Sequence, residues 1–357
     1  MAYKRKNIGG LAFRIPVKKK DFSKVSPKFL RKISIGVGVF LLAIFLFIFF
    51  EVYIPVNPGS HETVSYTVEK GWGSDRIASD LTELDLIRSS FFFKFYIFMS
   101  LKHSTLQAGK YNLSSKMSAY QIAKKMAGGD VVKNNLVILE GWNEGSIADY
   151  IERKGICSRD EFTALTEKDY SDSFGFLKDK PVDVGLEGYL FPDTYEISET
   201  ETCGDVINMM LSNFDKKFTP DLREEIAGQG KSIFDIVTMA SMLEKEVRSL
   251  KDKQIVSGIL WKRIDAGMPL QLDATVNYVT GKSDASVKIS DTKLDSPYNT
   301  YKYKGLPKGP ISNPGIESIM AAVYPTESEY WFYLSDGITH YSETLAQHNI
   351  AKAKYLH

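Results

Sequence analysis

The chain has 357 residues, and 45 Lys and Arg against 44 Asp and Glu leave a formal charge of +1. Lys4, Arg5, Lys6, Arg14, Lys18, Lys19, Lys20, Lys24, Lys28, Arg31 and Lys32 face the single acid Asp21, so the first 32 residues carry about +10 and the remainder is mildly acidic. That imbalance excludes phosphate-backbone binding by the remainder, and hence a nucleic-acid partner. Cys157 and Cys203 are the only cysteines, with neither the spacing nor the histidines of a metal site; a disulfide is permitted and no cofactor is expected.

Residues 33–50 form an unbroken apolar run, about 27 Å long as a helix and close to one hydrocarbon core. The basic cluster before it predicts a cytoplasmic N-terminus and export of everything after Glu51. The run is too long for a signal peptide, and EVYIPVNP follows it without a small-x-small cleavage site, so it reads as a retained single-pass anchor.

After the anchor, a local pattern recurs about 70 residues apart. Val64–Val68 alternates like a strand and leads through Gly71 and Trp72 to a helix with Ile77, Ala78 and Leu81 facing a core. Residues 136–139 lead through Gly141 and Trp142 to a helix with Ile147, Ala148 and Tyr150. Between them, residues 110–129 repeat the strand-to-helix rhythm and stop at Gly128 and Gly129. Trp72 and Trp142 suit either a sugar-stacking surface or packing on their own helices, and packing is the simpler reading. The stretch SSFFFKFYIFMSL carries Lys94 at its centre and is short for a span, so it reads as a buried or membrane-leaning helix.

Polar motifs follow. GLEGYLFPDTYEI, residues 185–197, sets Glu187, Asp193 and Glu196 among Tyr189, Phe191 and Tyr195. Carboxylates beside aromatic faces suit a sugar, which makes Glu187, Tyr189, Asp193 and Tyr195 candidate binding residues. Residues 268–281 offer Gln271, Asp273, Thr275 and Asn277, and residues 296–315 offer Asn299 and Tyr301; Asn313 and Pro314 read as turn formers.

Between these motifs, KSIFDIVTMASMLEKEVRSL opens with Ser232 and Asp235 spaced as a capping box and repeats Ile233, Ile236, Val237, Ala240, Leu243 and Val247 at helical intervals. Glu244 falls within that stripe, roughly 40° from Ala240, whereas Glu246 falls about 120° away on the other flank. A carboxylate forced against apolar neighbours resists ionisation, so Glu244 is the expected general acid, with solvent exposure or pairing to Arg248 the alternative.

GLEGYLFPDTYEI, ASMLEKEV, LQLDATVNY, SPYNTY with GLPKGPISNPG, and THYSETLAQHN resemble, in order, the motifs of the YceG-like endolytic murein transglycosylases. Leu272 stands where that family usually has Ser or Thr, and Lys308 where Pro is common. The resemblance implies an α+β fold. Residues 1–32 would be a cytoplasmic tail, 33–54 a transmembrane helix, 55–133 a small LysM-like βα module and 134–357 the YceG-like catalytic domain. It implies that Glu244, first Glu of the E-K-E triplet, protonates the MurNAc-β-1,4-GlcNAc bond of peptidoglycan glycan strands and then deprotonates the muramoyl C6 hydroxyl, leaving 1,6-anhydro ends. Peptidoglycan synthases at the membrane would be partners. A single essential carboxylate fits this better than hydrolysis, which normally uses two; Glu187 or Asp273 at the scissile bond would favour a muramidase-type hydrolase. A non-catalytic peptidoglycan-binding anchor is the remaining alternative.

Overall fold

A computed structural model describes residues 3–8, 11–16, 27–100, 106–282 and 287–355; residues 17–26 of the basic tail lie outside these. The chain divides into two compact units, Met1–Val131 and Val132–His357.

In the first unit, β1 (Tyr3–Ile8) pairs antiparallel with β2 (Leu11–Pro16), a hairpin that the charge pattern of the tail did not signal. Helix α1 (Pro27–Tyr53) is long and apolar enough to cross a membrane, the one such helix among the described residues. Next come β3 (Val64–Val68), α2 (Ser74–Glu83), α3 (Ser90–Ser100), β4 (Gly109–Leu113) and α4 (Ala119–Ala127). Strands β3 and β4 pair antiparallel with Tyr66 opposite Tyr111. Their alternate residues Tyr66, Val68, Tyr111 and Leu113 bury against Ile77, Ala78 and Leu81 of α2 and Ile122 and Met126 of α4. Trp72 stays with its own helix: the Arg76 guanidinium lies 3.5 Å from its ring centroid, and its indole N–H donates to Glu69.

The second unit begins with β5 (Lys133–Val137), α5 (Glu144–Arg153), α6 (Arg159–Thr166) and β6 (Thr194–Ser198). Helices α7 (Cys203–Lys217), α8 (Pro220–Gly228), α9 (Ile233–Glu246), α10 (Leu250–Asp265), α11 (Asp273–Thr280) and α12 (Ile316–Val323) follow, then β7 (Phe332–Ser335), β8 (Thr339–Ser342) and α13 (Leu345–Tyr355). Strand β5 pairs antiparallel with β6, Leu136 opposite Tyr195, and β7 pairs with β8. The architecture is α+β, with helices dominant.

The recurrent strand-to-helix pattern is present in both units. Gly71 and Gly141 each take positive φ, +90° and +75°, at the turn from β3 to α2 and from β5 to α5, a conformation costly for a residue with a Cβ. Cys157 and Cys203 are disulfide-bonded and tie the segment before α6 to the start of α7.

Helix α9 is the centre of the second unit. Ser232 and Asp235 close the predicted capping box at its N-terminus. Its packing partners include α10, α11 and α12, and every residue from Ile236 to Leu243 is buried, so its apolar surface is nearly a full cylinder rather than one stripe. Beyond the capping box, polar side chains emerge only in the final turn, and their directions decide the site.

Candidate active site

Two glutamates leave the last turn of α9 in different directions. Glu244 turns towards α10 and α12, where both carboxylate oxygens lie 3.3 Å from Lys253 Nζ. Its Oε2 also accepts from Ser318 Oγ at 2.6 Å and from the Gly315 N–H at 3.0 Å. Lys253 is only 3% exposed, so this is a buried ion pair joining three helices. Glu140 is beside it, its carboxyl raised by burial and then by the Glu244 charge. A Cβ at Gly315 would meet Glu140 Oε1 at 1.9 Å, so a larger residue there would have to displace the Glu140 carboxylate.

Glu246, the last residue of α9, instead lines an open groove of about 1130 Å³. Tyr333 OH on β7 donates to Glu246 Oε2 at 3.0 Å, and the Ala274 N–H in the first turn of α11 also donates to the carboxylate. Burial pushes this carboxyl up to about 7, and the Asp273 charge adds to the rise against those two hydrogen bonds. The sequence expectation named Glu244, and the structure sets the two glutamates of this turn in different surroundings. Glu244 does not line this groove, and the flank residue Glu246 does. Periodicity does not separate the two, because α9 is buried nearly all round and a stripe cannot say which buried face ends at an opening.

Around Glu246 the walls are polar and aromatic. Trp142, Asn143, Gln271, Asp273, Tyr278, Tyr301 and Tyr333 line the groove, with Lys245 at its side donating to the Gly141 carbonyl. Trp142 also meets Tyr150 of its own helix edge-on, centroids 5.2 Å apart, so it both packs and faces the groove. Asp273 opens α11 and accepts from Tyr301 OH. Gln271 holds φ +58°, a strained value for a residue with a Cβ, while its N–H donates to the Thr300 carbonyl. The neighbouring Leu272 N–H donates to Thr300 Oγ1, pinning this strap from both sides of the turn.

Of the nine sequence-predicted binding residues, Gln271, Asp273 and Tyr301 line the groove and six do not. Glu187 is 5% exposed and accepts from the Glu144 N–H, Asn313 Nδ2 and, more weakly, Tyr278 OH. Burial pushes its carboxyl up to about 8. It is a structural anchor for the start of α5, not a second groove carboxylate. Tyr189 is buried in a ring cluster with Phe176 and Phe214. Tyr195 is also buried, its OH donating to the Phe191 carbonyl, while Asp193 is exposed and accepts from Asn213. Thr275 bonds Leu272 O and Thr300, and Asn299 clamps its own loop through the Thr292 and Leu294 carbonyls. Asn313, expected as a turn former, instead clamps distant segments together, bonding Trp142 O, Leu190 N and Glu187.

Sequence reasoning missed Tyr333 and passed over Glu246. Tyr333 lies just outside the last quoted motif, and its pairing with Tyr341 in the β7–β8 hairpin gives no sign in the sequence that it meets α9.

A groove floored by a carboxyl that burial pushes up to about 7 and walled by aromatic rings is the kind of site that takes a sugar chain. The chain belongs to the YceG-like family, whose profile matches residues 66–354. It is 33% identical over 316 residues to an endolytic murein transglycosylase of Bacillus subtilis, covering 85% of this chain and 87% of that one. It is 27% identical to an endolytic murein transglycosylase of Streptococcus pneumoniae over 85% of this chain, but spans 60% of that longer protein. The crystal structure of a YceG-like protein from Listeria monocytogenes superposes with a TM-score of 0.57 at 30% identity, covering 82% of this chain and all of that one.

Proposed function

We propose that this protein is a membrane-anchored endolytic murein transglycosylase in which Glu246 is the acid and base, with Glu244, the first Glu of the E-K-E triplet that the family resemblance names, as the alternative acid two residues away. The observation that carries this reading is the Glu246 carboxyl, raised to about 7 by burial on the floor of the groove. The names of the relatives from Bacillus subtilis and Streptococcus pneumoniae support the substrate, murein. Glu246 donates its proton to the glycosidic oxygen as the bond from the muramoyl C1 breaks. Its carboxylate then takes the proton of the muramoyl C6 hydroxyl as O6 bonds to C1, closing a 1,6-anhydro ring and restoring the acid. One carboxyl serves both steps, no water is consumed, and the hydrogen bonds from Tyr333 and Ala274 hold the carboxylate in place between them.

The basic tail before α1 supports an N-terminus in the cytoplasm and a groove on the far side of the membrane, where nascent glycan strands and their synthases lie. Asp273 supports a second reading. It lines the same groove, and a second carboxylate is what a muramidase-type hydrolase would need. Mass spectrometry of products released from purified peptidoglycan by the full chain in detergent separates the readings. The proposal expects anhydro ends; reducing ends would favour hydrolysis, and no product would leave a binding anchor.

A further inference from the structure

Helix α3 exposes a stripe that water does not suit. Phe91, Phe95, Phe98 and Met99 are 64%, 40%, 76% and 51% exposed, and their spacing of four, three and one residues puts them on one face. Phe93, on the opposite face, is fully buried in the core of the first unit. Lys94 lies on the flank between, where its ammonium reaches sideways to Asp75 at 2.6 Å and leaves the stripe uncharged.

The same helix is docked on α1. Phe92 meets Phe47 edge-on with centroids 5.5 Å apart, and Tyr96 meets Tyr53 at 6.4 Å. Phe47 is six residues before Tyr53, about 9 Å back along the α1 axis and inside its apolar run. The start of α3 is therefore level with side chains that a spanning α1 would hold in hydrocarbon. The junction is fixed as well as close. Arg88, two residues before α3, donates to the Ile54 and Pro55 carbonyls at the end of α1 and covers the Phe50 ring at 4.4 Å. Tyr53 also stacks on Tyr120 of α4, 5.3 Å between centroids.

The geometry points to α3 as an interfacial membrane helix, its Phe91, Phe95, Phe98 and Met99 face seated in the lipid leaflet beside the exit of α1. The occupant of this stripe is lipid because the stripe continues the exposed apolar surface of α1 at the depth set by the Phe47 to Phe92 contact. An amphipathic helix seated this way sinks about 5–10 Å into the headgroup and acyl boundary, which matches that offset. The first unit then rests on the bilayer at two points, a span and a wedge, rather than swinging from a tether.

This inference rests on the reading of α1 as a membrane span, and the test keeps the two apart. The two native cysteines are paired, so a single introduced cysteine can carry an environment-sensitive dye in the full chain, reconstituted in vesicles that contain lipids spin-labelled at shallow or deep acyl positions. Phe45→Cys reports α1, Phe95→Cys and Phe98→Cys report α3, and Val182→Cys, in a fully exposed loop, sets the aqueous signal. Expected are deep quenching at 45, shallow-label quenching with blue-shifted emission and iodide protection at 95 and 98, and iodide quenching at 182. Lipid quenching at 45 with iodide quenching at 95 and 98 would overturn the α3 proposal. Protection of 95 and 98 from both quenchers would overturn it in favour of a protein contact. Loss of lipid quenching at 45 would instead remove the anchor.

Discussion

Glu246→Gln should abolish cleavage without unfolding the protein. The amide keeps an acceptor for Tyr333 OH and for the Ala274 N–H, and it has the shape of the neutral acid that the groove favours. What it lacks is the proton, and loss of a general acid costs 10²-fold or more. The same change has a stability signature. The folded carboxyl at about 7, against an ordinary value of 4.5, binds its proton more tightly than the unfolded chain does. Wild-type stability therefore falls as pH rises from about 4.5 to about 7, by on the order of 2–3 kcal/mol after allowing for partial exposure. The Gln variant should escape that fall and be the more stable protein at pH 8. Glu244→Gln should behave oppositely. It leaves the Lys253 ammonium buried without its counter-ion, which costs about 3–5 kcal/mol at any pH where the pair is formed. Thermal unfolding by circular dichroism at pH 5 and pH 8, beside product release from purified glycan strands, measures both. Near wild-type turnover by folded Glu246→Gln, or loss of turnover in a Glu244→Gln variant that is as stable as wild type, would refute the reasoning.

Cleavage by the wild type should decline as pH rises through about 7, because Glu246 must begin protonated; a flat profile to pH 9 would contradict it. Asp273→Asn removes the like charge that helps raise Glu246, so this decline should move to lower pH while turnover below it stays within about tenfold; a 10²-fold loss at every pH would mark Asp273 as a second catalytic carboxylate. Glu187→Gln should flatten the loss of stability between pH 4.5 and about 8 that the buried carboxyl imposes, read from denaturant midpoints across that range. Cys203→Ser opens a bond between residues 46 apart in sequence and should lower unfolding stability by roughly 2–4 kcal/mol, measured against the oxidised wild type.

Much of this was legible in residue order. Capping at Ser232, the stripe along α9 and the Gly-Trp turns before α2 and α5 are local, and local periodicity reads them. Gln271, Asp273 and Tyr301, which line the groove, stand out in sequence because they sit in short polar stretches at or beside the start of a helix. Glu187, Tyr189 and Tyr195 lie outside the groove for a shared reason. Their polar atoms are satisfied or enclosed by partners far along the chain, such as Asn313 for Glu187, and sequence spacing does not show which carboxylate will find a buried partner. The choice between Glu244 and Glu246 depends on Lys253, Ser318 and Tyr333, all on later elements. A heptad-like stripe fixes which side of a helix is apolar, not what the opposite side meets.

The central claim is that Glu246 carries the proton that cleaves the strand, and its own titration tests that most directly. Carbon-13 NMR of carboxyl-labelled glutamate in the full-length protein, with the Glu246 signal assigned by its loss in Glu246→Gln, should show a midpoint near 7. A Glu246 carboxyl that titrates near the ordinary 4.5 would contradict the account.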